Sequence, residues 1–415
     1  MRNIFDQYSQ AENRLTHALV SALGEDAILL RKFVKWATGA APRKNLHIVE
    51  QQLPGEYEMS EDDYEQAGLP DAWIHDDDEW SLLVESKVAA TLSLDQLKRH
   101  YRTAQKRGFS EVTVLAIDIS NPKGKLPDYV IFRTWREIYG WLSDQAVWSE
   151  WAVRTLRYME VAERKWAASG YLKEGTLTEF SGIHFDDDNP YNYHEAKRLI
   201  RLIMDELRQH PDLSGFINSR VSGRGAITGK GGEAVWDYVR FRGLDQKLEH
   251  TKVPHLSLVI DRREIRVFIN APNSMQGRFR RPVVDLGEDD FFEVMSHVNK
   301  NLLRVARDVT GAYPYASMTQ RRFASQRAKA SVDGAMSFDL RTAFPGGKMQ
   351  KIKVQDQWLR ALYSLITEKN SNLGWAVGMA FPYDKCAKTR KPIILDALAN
   401  SWLACRPLLD EMLKK

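Results

Sequence analysis

The chain has 415 residues, which is too long for one ordinary domain and suits two or three. No stretch approaches twenty consecutive apolar residues, the N-terminus lacks the apolar run of a signal peptide, and two cysteines are too few for a thiolate zinc site, so we expect a cytoplasmic protein with no membrane partner. The net charge of +4 is uneven: residues 1–150 hold 17 basic and 24 acidic side chains, a balance of −7, which leaves +11 for the rest.

The first elements are a helix, a strand and a hairpin. Residues 8–23 have a helical apolar pattern that carries Glu12, and residues 46–51 are typical of a strand. Two stretches rich in Trp, Ile, Leu and Val then flank the polar run 76–79, where a turn must fall. The segment 68–87 is therefore predicted to be a β-hairpin.

This hairpin carries the most informative residues of the chain. Asp71 precedes its first strand, and Glu85 and Lys87 end its second. Because side chains alternate along a strand, Glu85 and Lys87 lie on one sheet face, and the turn brings Asp71 opposite Glu85. Carboxylate ligands of this kind suit Mg²⁺ or Mn²⁺. The natural substrate of such a metal site is a phosphodiester. The alternative is a surface hairpin whose charges face water.

Three further elements follow the hairpin. Residues 93–108 predict a helix that starts at the cap residue Ser93, contains Gln96 and ends at Gly108. Residues 111–118 are typical of a buried strand, and 128–142 of a strand that runs into a helix.

The Pro-Asp pair at 70–71 with Glu85-Ser86-Lys87, in this order of elements, resembles the PD-(D/E)XK nuclease superfamily over roughly residues 1–145. The resemblance implies a restriction-endonuclease-like N-terminal domain, a mixed central sheet flanked by helices. It implies Asp71, Glu85 and Lys87 as catalytic residues, with Asp71, Glu85 and Glu12 as metal ligands. Some members add glutamine and tyrosine spaced Q-x3-Y; Gln96 matches as an accessory residue, whereas Tyr101 lies one position too far.

A second Pro-Asp pair, at 127–128, and a second E-x-K, at 163–165, lie thirty-five residues apart. The E-x-K falls in a helical pattern, where residues i and i+2 diverge, so it predicts no site. The predicted domains are 1–147, a connecting helix and linker over 148–185, and a C-terminal mixed α/β domain over 186–415. At the start of the C-terminal domain, the acidic run before Asn192 is read as a solvated loop and Asn192 as a helix start.

The C-terminal domain carries the positive charge, and phosphate affinity comes from Lys and Arg. Basic residues interleaved with Phe279 and Phe323 suit phosphate contacts and base stacking, although such clusters are as often plain surface. A glycine-rich loop at 222–233 lacks the residues of an ATP-binding phosphate loop. It is predicted to contact the phosphate backbone of a nucleic acid. The predicted nucleic-acid-binding residues are Arg224, Lys230, Arg278, Arg280, Arg281, Arg321, Arg322 and Arg327.

The resulting expectation is a Mg²⁺-dependent endonuclease that hydrolyses DNA, in the setting of prokaryotic restriction or phage defence. Two alternatives stay open: a non-catalytic nucleic-acid-binding or scaffolding protein that retains the nuclease fold, and a nuclease acting on RNA. The C-terminal domain matches no family by its residues, and its expected roles are DNA recognition, sensing or assembly. A homo-oligomer and further defence-system subunits are the expected protein partners.

Overall fold

The computed structural model describes residues 11–41, 45–50, 69–76, 78–122, 124–172, 175–219, 227–228, 232–244, 247–324, 330–345, 353–368 and 372–414. The chain divides into two compact units, Met1–Glu179 and Phe180–Lys415. Each unit combines α-helices with one β-sheet, which confirms the mixed α/β class. Within these described ranges, no helix has both the length and the apolar character that a bilayer crossing requires.

The first unit is built on a five-stranded mixed sheet. Its strands lie in sequence order, antiparallel from β1 to β3 and parallel from β3 to β5. The strands are β1 (His47–Glu50), β2 (Ala72–His75), β3 (Trp80–Ser86), β4 (Glu111–Asp118) and β5 (Val130–Thr134). The helices are α1 (Ala11–Glu25), α2 (Ala27–Thr38), α3 (Leu94–Lys106), α4 (Trp135–Gln145) and α5 (Glu150–Ser169).

The predicted hairpin is confirmed by the pairing of β2 with β3. Ala72 pairs with Val84 and His75 with Ser81, and Asp76 closes the turn by accepting the backbone N–H of Trp80. The two sheet faces bury different cores. Leu82 and Val84 pack with α1, α2, α4 and α5, whereas Leu83 packs with α3. The alternation of β3 therefore directs its odd-numbered residues toward α3.

Helix α5 differs in role from the connecting helix that the sequence suggests. Met159 and Trp166 belong to the core of the first unit, where α5 packs on α1 and α4. Glu163, part of the second E-x-K, is 1% exposed and accepts the backbone N–H of Leu177 at 2.7 Å and the hydroxyl of Thr178. It is a structural residue that fixes the chain beyond α5. The unit boundary consequently falls after residue 179.

The second unit is built on a seven-stranded antiparallel sheet, in the order β11-β10-β12-β9-β8-β7-β6. Its strands are β6 (Ile227–Thr228), β7 (Ala234–Val239), β8 (His255–Asp261), β9 (Glu264–Ala271), β10 (Tyr313–Arg322), β11 (Ser331–Asp339) and β12 (Leu373–Pro382). Its helices are α6 (Tyr193–Gln209), α7 (Gly277–Asp285), α8 (Glu288–Asp308), α9 (Gln357–Thr367), α10 (Ile394–Ala404) and α11 (Arg406–Met412).

Asn192 caps α6 by accepting the backbone N–H groups of His194 and Glu195, which confirms the predicted helix start. Helices α6–α11 supply one side of the core of this unit, and alternate strand residues supply the other. On β9, Ile265, Val267 and Ile269 are buried in this core, whereas the residues between them are half-buried on the opposite face. One sheet face is thus covered by helices, and the other presents side chains outside that core.

Candidate functional site

The three residues singled out in the hairpin lie together at the carboxyl end of β3. Asp71 directly precedes β2, Glu85 is the second-last residue of β3, and Lys87 directly follows β3. The backbone of Lys87 still pairs with β4, through an N–H that donates to the Ile117 carbonyl at 2.7 Å. This bond extends the ladder by one residue and holds Lys87 beside the sheet.

Asp71 is fixed by Ser86 and, through it, by helix α1. The backbone N–H of Ser86 donates to Asp71 Oδ2 at 2.7 Å, and the Ser86 hydroxyl donates to the same oxygen at 3.0 Å. The single hydroxyl proton of Ser86 is used in this bond, so the Thr16 hydroxyl, 2.5 Å from Ser86 Oγ, is the donor in theirs. Helix α1 therefore holds the carboxylate in place.

Glu85 is almost completely buried, with 1% of its side chain exposed. Its Oε1 lies 2.5 Å from Lys87 Nζ, and its Oε2 lies 3.0 Å from His100 Nε2. A buried carboxylate is costly unless it is paired, and here both oxygens have a partner of the appropriate kind. The alternative prediction, a surface hairpin whose charges face water, does not describe the environment of Glu85.

His100 on α3 is a functional candidate that the sequence reasoning missed. Its side chain is fully buried, and because a carboxylate only accepts, Nε2 must carry the proton that it shares with Glu85. Nδ1 is buried and has no hydrogen-bond partner within the part of the chain that the structure describes. The available signal was spacing, since His100 stands four residues after Gln96, where the Q-x3-Y pattern has its tyrosine.

The two other predicted residues of this site, Gln96 and Glu12, lie on α3 and on α1. Gln96 is half-buried on α3, one turn before His100 and on the same helical side. Tyr101 packs elsewhere, with its ring stacked on Tyr129 at 4.0 Å between centroids. Glu12 lies in α1, one turn before Thr16, and its side chain is outside the described residues.

The electrostatics of the site suit a cation. Burial, and next the charge of Glu85, raise the pKa of Asp71 from 3.8 to about 6, against the opposing effects of the Ser86 N–H and Lys87. Two carboxylates thus stand close together in a poorly solvated place. No three His, Cys, Asp or Glu side chains converge there among the residues described, so a divalent ion would need water and substrate oxygens to complete its shell. This donor set fits Mg²⁺, which is commonly held by one or two carboxylates.

The raised pKa of Asp71 predicts a stability effect. Between pH 3.8 and about 6 the folded protein retains a proton that the unfolded chain has lost, so Asp71 makes stability fall as pH rises through this window. Asp71→Asn keeps an acceptor for the Ser86 N–H, and at pH 7.5 in EDTA it should raise the free energy of unfolding by on the order of 1 to 2 kcal/mol.

Urea unfolding at pH 7.5 and at pH 3.5 measures this effect, and the gain should vanish at the lower pH. Asp78→Asn, in the exposed turn of the same hairpin, is the matched control and should change little at either pH. Equal stability of Asp71→Asn and wild type at pH 7.5 would contradict the buried environment of Asp71.

A cleft of about 590 Å³ lies beyond the carboxyl end of β3. It begins at Val88, the residue after Lys87, and is lined by residues 88–92, by Leu94, by most of 118–126 and by Tyr171. Asp118 at its edge ends β4, so the cleft lies beyond the carboxyl ends of two parallel strands. This is the usual position of a ligand cleft in a sheet with parallel strands.

The basic residues predicted in the second unit are distributed over separate roles. Arg280 donates to the carbonyls of Ile366 and Glu368 at 2.6–3.0 Å and so caps the end of α9, while Phe279 is buried and offers no stacking face. Arg278 and Arg281 are exposed, as are Arg322 and Phe323. Arg321 lines a cavity. Arg224, Lys230 and Arg327 lie outside the described residues.

The site consists of half-buried Asp71, buried Glu85 and Lys87 at the carboxyl end of β3, with buried His100 on α3 beside Glu85. The predicted cluster around Phe279 is reduced to Arg278 and Arg281, because Arg280 is engaged with the backbone. No protein-family model and no curated protein matches this chain.

Proposed function

We propose that the first unit is a divalent-metal-dependent endonuclease that hydrolyses DNA phosphodiester bonds. The observation that carries the proposal is the meeting of Asp71, Glu85 and Lys87 at the carboxyl end of β3, with both carboxylates held by hydrogen bonds. The mixed five-stranded sheet, with α1 and α3 packed on opposite faces, supports a restriction-endonuclease-like fold.

Each side chain has a task that follows from its contacts. Asp71 and Glu85 would hold Mg²⁺ or Mn²⁺, and Glu12 lies in the helix that could bring a third carboxylate. Such an ion, when bound, lowers the pKa of water and offsets the charge of the phosphate. The ammonium of Lys87, 2.5 Å from Glu85, would orient the attacking water and stabilise its developing negative charge.

His100 and Ser86 are the positioning residues of this mechanism. The hydrogen bond from the His100 N–H to Glu85 Oε2 fixes the orientation of the Glu85 carboxylate. The backbone N–H and the hydroxyl of Ser86 fix the Asp71 carboxylate in the same way, through its Oδ2. Fixed carboxylates need no reorganisation when charge develops on the phosphate, which is the source of most catalysis in phosphoryl-type displacement. The cleft that begins at Val88, one residue after Lys87, is where a substrate strand would approach these groups.

The testing experiment is incubation of the full chain with plasmid, linear duplex, single-stranded DNA and RNA, in Mg²⁺, in Mn²⁺ and in excess EDTA. We expect DNA cleavage with either ion and none in EDTA, because two carboxylates without a cation repel the phosphate. Product length separates endonucleolytic from terminal cleavage. Undiminished cleavage in EDTA would overturn the metal mechanism, and cleavage confined to RNA would overturn the substrate class.

A further inference from the structure

A cavity of about 320 Å³ lies in the second unit, on the sheet face away from the helical core. Its floor is the strand β12, which carries Gly374 and Ala376 there. Ala376 is flanked in register by Asn270 on β9 and by Ser317 on β10, and Gly374 by Thr319. The short floor residues between longer neighbours leave a depression of the size of small-molecule sites.

Arg321 gives this cavity its charge. Its Nη1 lies 3.4 Å from the point where a Cβ on Gly374 would stand, so the guanidinium lies over the glycine floor. Arg321 is half-buried, and within the described part of the chain it has no carboxylate partner. Arg266, also in the lining, is by contrast paired with Asp261 at 2.9 Å. The described lining residues include neither Asp nor Glu, so an anion is the missing partner.

Asn270 provides a directional polar group. His255 Nδ1 lies 3.0 Å from the Val253 carbonyl and must carry the proton, so Nε2 of the neutral ring accepts from Asn270 Nδ2 at 3.0 Å. Burial keeps the ring neutral, since it lowers the pKa of His255 to about 4. The amide of Asn270 is thereby fixed with its oxygen as the remaining acceptor, which suits an N–H donor on a ligand.

The walls of the cavity are aromatic. Trp236, Phe268 and Tyr315 line it, and Phe268 meets Tyr315 edge to face with ring centroids 6.3 Å apart. Aromatic walls, a guanidinium without a carboxylate partner among the described residues and a fixed amide acceptor match a ligand that has a planar ring, N–H donors and a phosphate.

We propose that this cavity binds one nucleotide, with its phosphate on Arg321 and its base against the aromatic walls and Asn270. The ligand is either a free nucleoside monophosphate or the terminal nucleotide of a nucleic-acid chain, which share this chemistry. The inference does not depend on the proposed nuclease activity, because no residue of the first unit takes part. It gives the second unit a recognition role.

The test is titration of the full chain in EDTA with each of the eight common nucleoside monophosphates. Binding is followed by tryptophan fluorescence, since the Trp236 side chain lines the cavity. We expect saturable binding of at least one nucleotide, weakened about 10-fold or more in Arg321→Ala. Arg322→Ala, the exposed neighbour on the same strand, is the matched control and should leave the affinity within about twofold.

Further variants separate the ligand groups. Arg321→Lys keeps the charge and, with unchanged thermal unfolding, should recover part of the affinity, whereas Asn270→Leu should reduce the preference among bases. If a 5′-phosphorylated dinucleotide competes with the nucleoside monophosphate and a circular single strand does not, the site binds chain ends. If neither competes, the site binds free nucleotides. Equal losses in Arg321→Ala and Arg322→Ala, or no binding at millimolar nucleotide, overturn the proposal. Retained binding in Asp71→Asn keeps this result separate from catalysis.

Discussion

Asp71→Asn, Glu85→Gln and Lys87→Ala are each expected to lower the rate of Mg²⁺-dependent DNA cleavage by about 10³-fold or more. The physical reason is that each group is held in one orientation by its partners, so its loss removes a charge that the rest of the site cannot replace. The measurement is single-turnover cleavage of a supercoiled plasmid at saturating enzyme.

The three changes are chosen so that loss of activity cannot be mistaken for loss of folding. Asp71→Asn should be more stable than wild type at neutral pH, so loss of its activity cannot be caused by unfolding. Glu85→Gln keeps an acceptor for His100. Asp78→Asn in the hairpin turn and Asp128→Asn in the second Pro-Asp pair are controls that should cleave normally. Cleavage by Glu85→Gln within tenfold of wild type would remove Glu85 from the mechanism.

His100→Ala is expected to lower the cleavage rate by about 10²-fold and to raise the Mn²⁺ concentration needed for half-maximal activity by about 10-fold. Without the imidazole, the buried carboxylate of Glu85 loses the hydrogen-bond donor to its Oε2 and is no longer oriented. The Mn²⁺ dependence is the informative readout, because general loosening of the fold would not shift it selectively.

Two variants make the role of His100 specific. His100→Gln can still donate to Glu85 and should recover much of the activity, since it restores the hydrogen bond without the ring. Tyr101→Phe, the next residue on the same helix, keeps the stack on Tyr129 and should cleave as wild type. If Tyr101→Phe is as damaging as His100→Ala, the accessory position belongs to Tyr101 instead.

Local patterns were enough to predict the hairpin and the meeting of Asp71, Glu85 and Lys87, because both depend on strand alternation and one turn. His100 depends on a contact between a helix and a strand, and a search for tyrosine in the Q-x3-Y spacing passed over it. For the basic cluster at 278–281, the sequence pattern indicated a binding role where Arg280 has a structural one. No local pattern predicts that Arg280 caps the end of a helix almost ninety residues away.

The sheet of the second unit was the least accessible to sequence reasoning. The strand β12 is buried along all ten residues, so it lacks the alternation that reveals a strand. It also inserts between β9 and β10, far earlier in the chain, and only long-range packing decides that order. The cavity beside Arg321 depends on this insertion, because its glycine and alanine floor comes from β12.

The packing of α5 on α1 and α4 decides how the catalytic unit can be produced on its own. An expression fragment that stops at residue 147 would leave the apolar sides of both helices in water, and a contiguous patch of this kind promotes aggregation. It would also lose Glu163, which anchors the chain at Leu177. The shortest fragment suited to purification therefore ends at residue 179. Insolubility of a shorter fragment would come from the missing α5 and would say nothing about the activity of the site at Asp71.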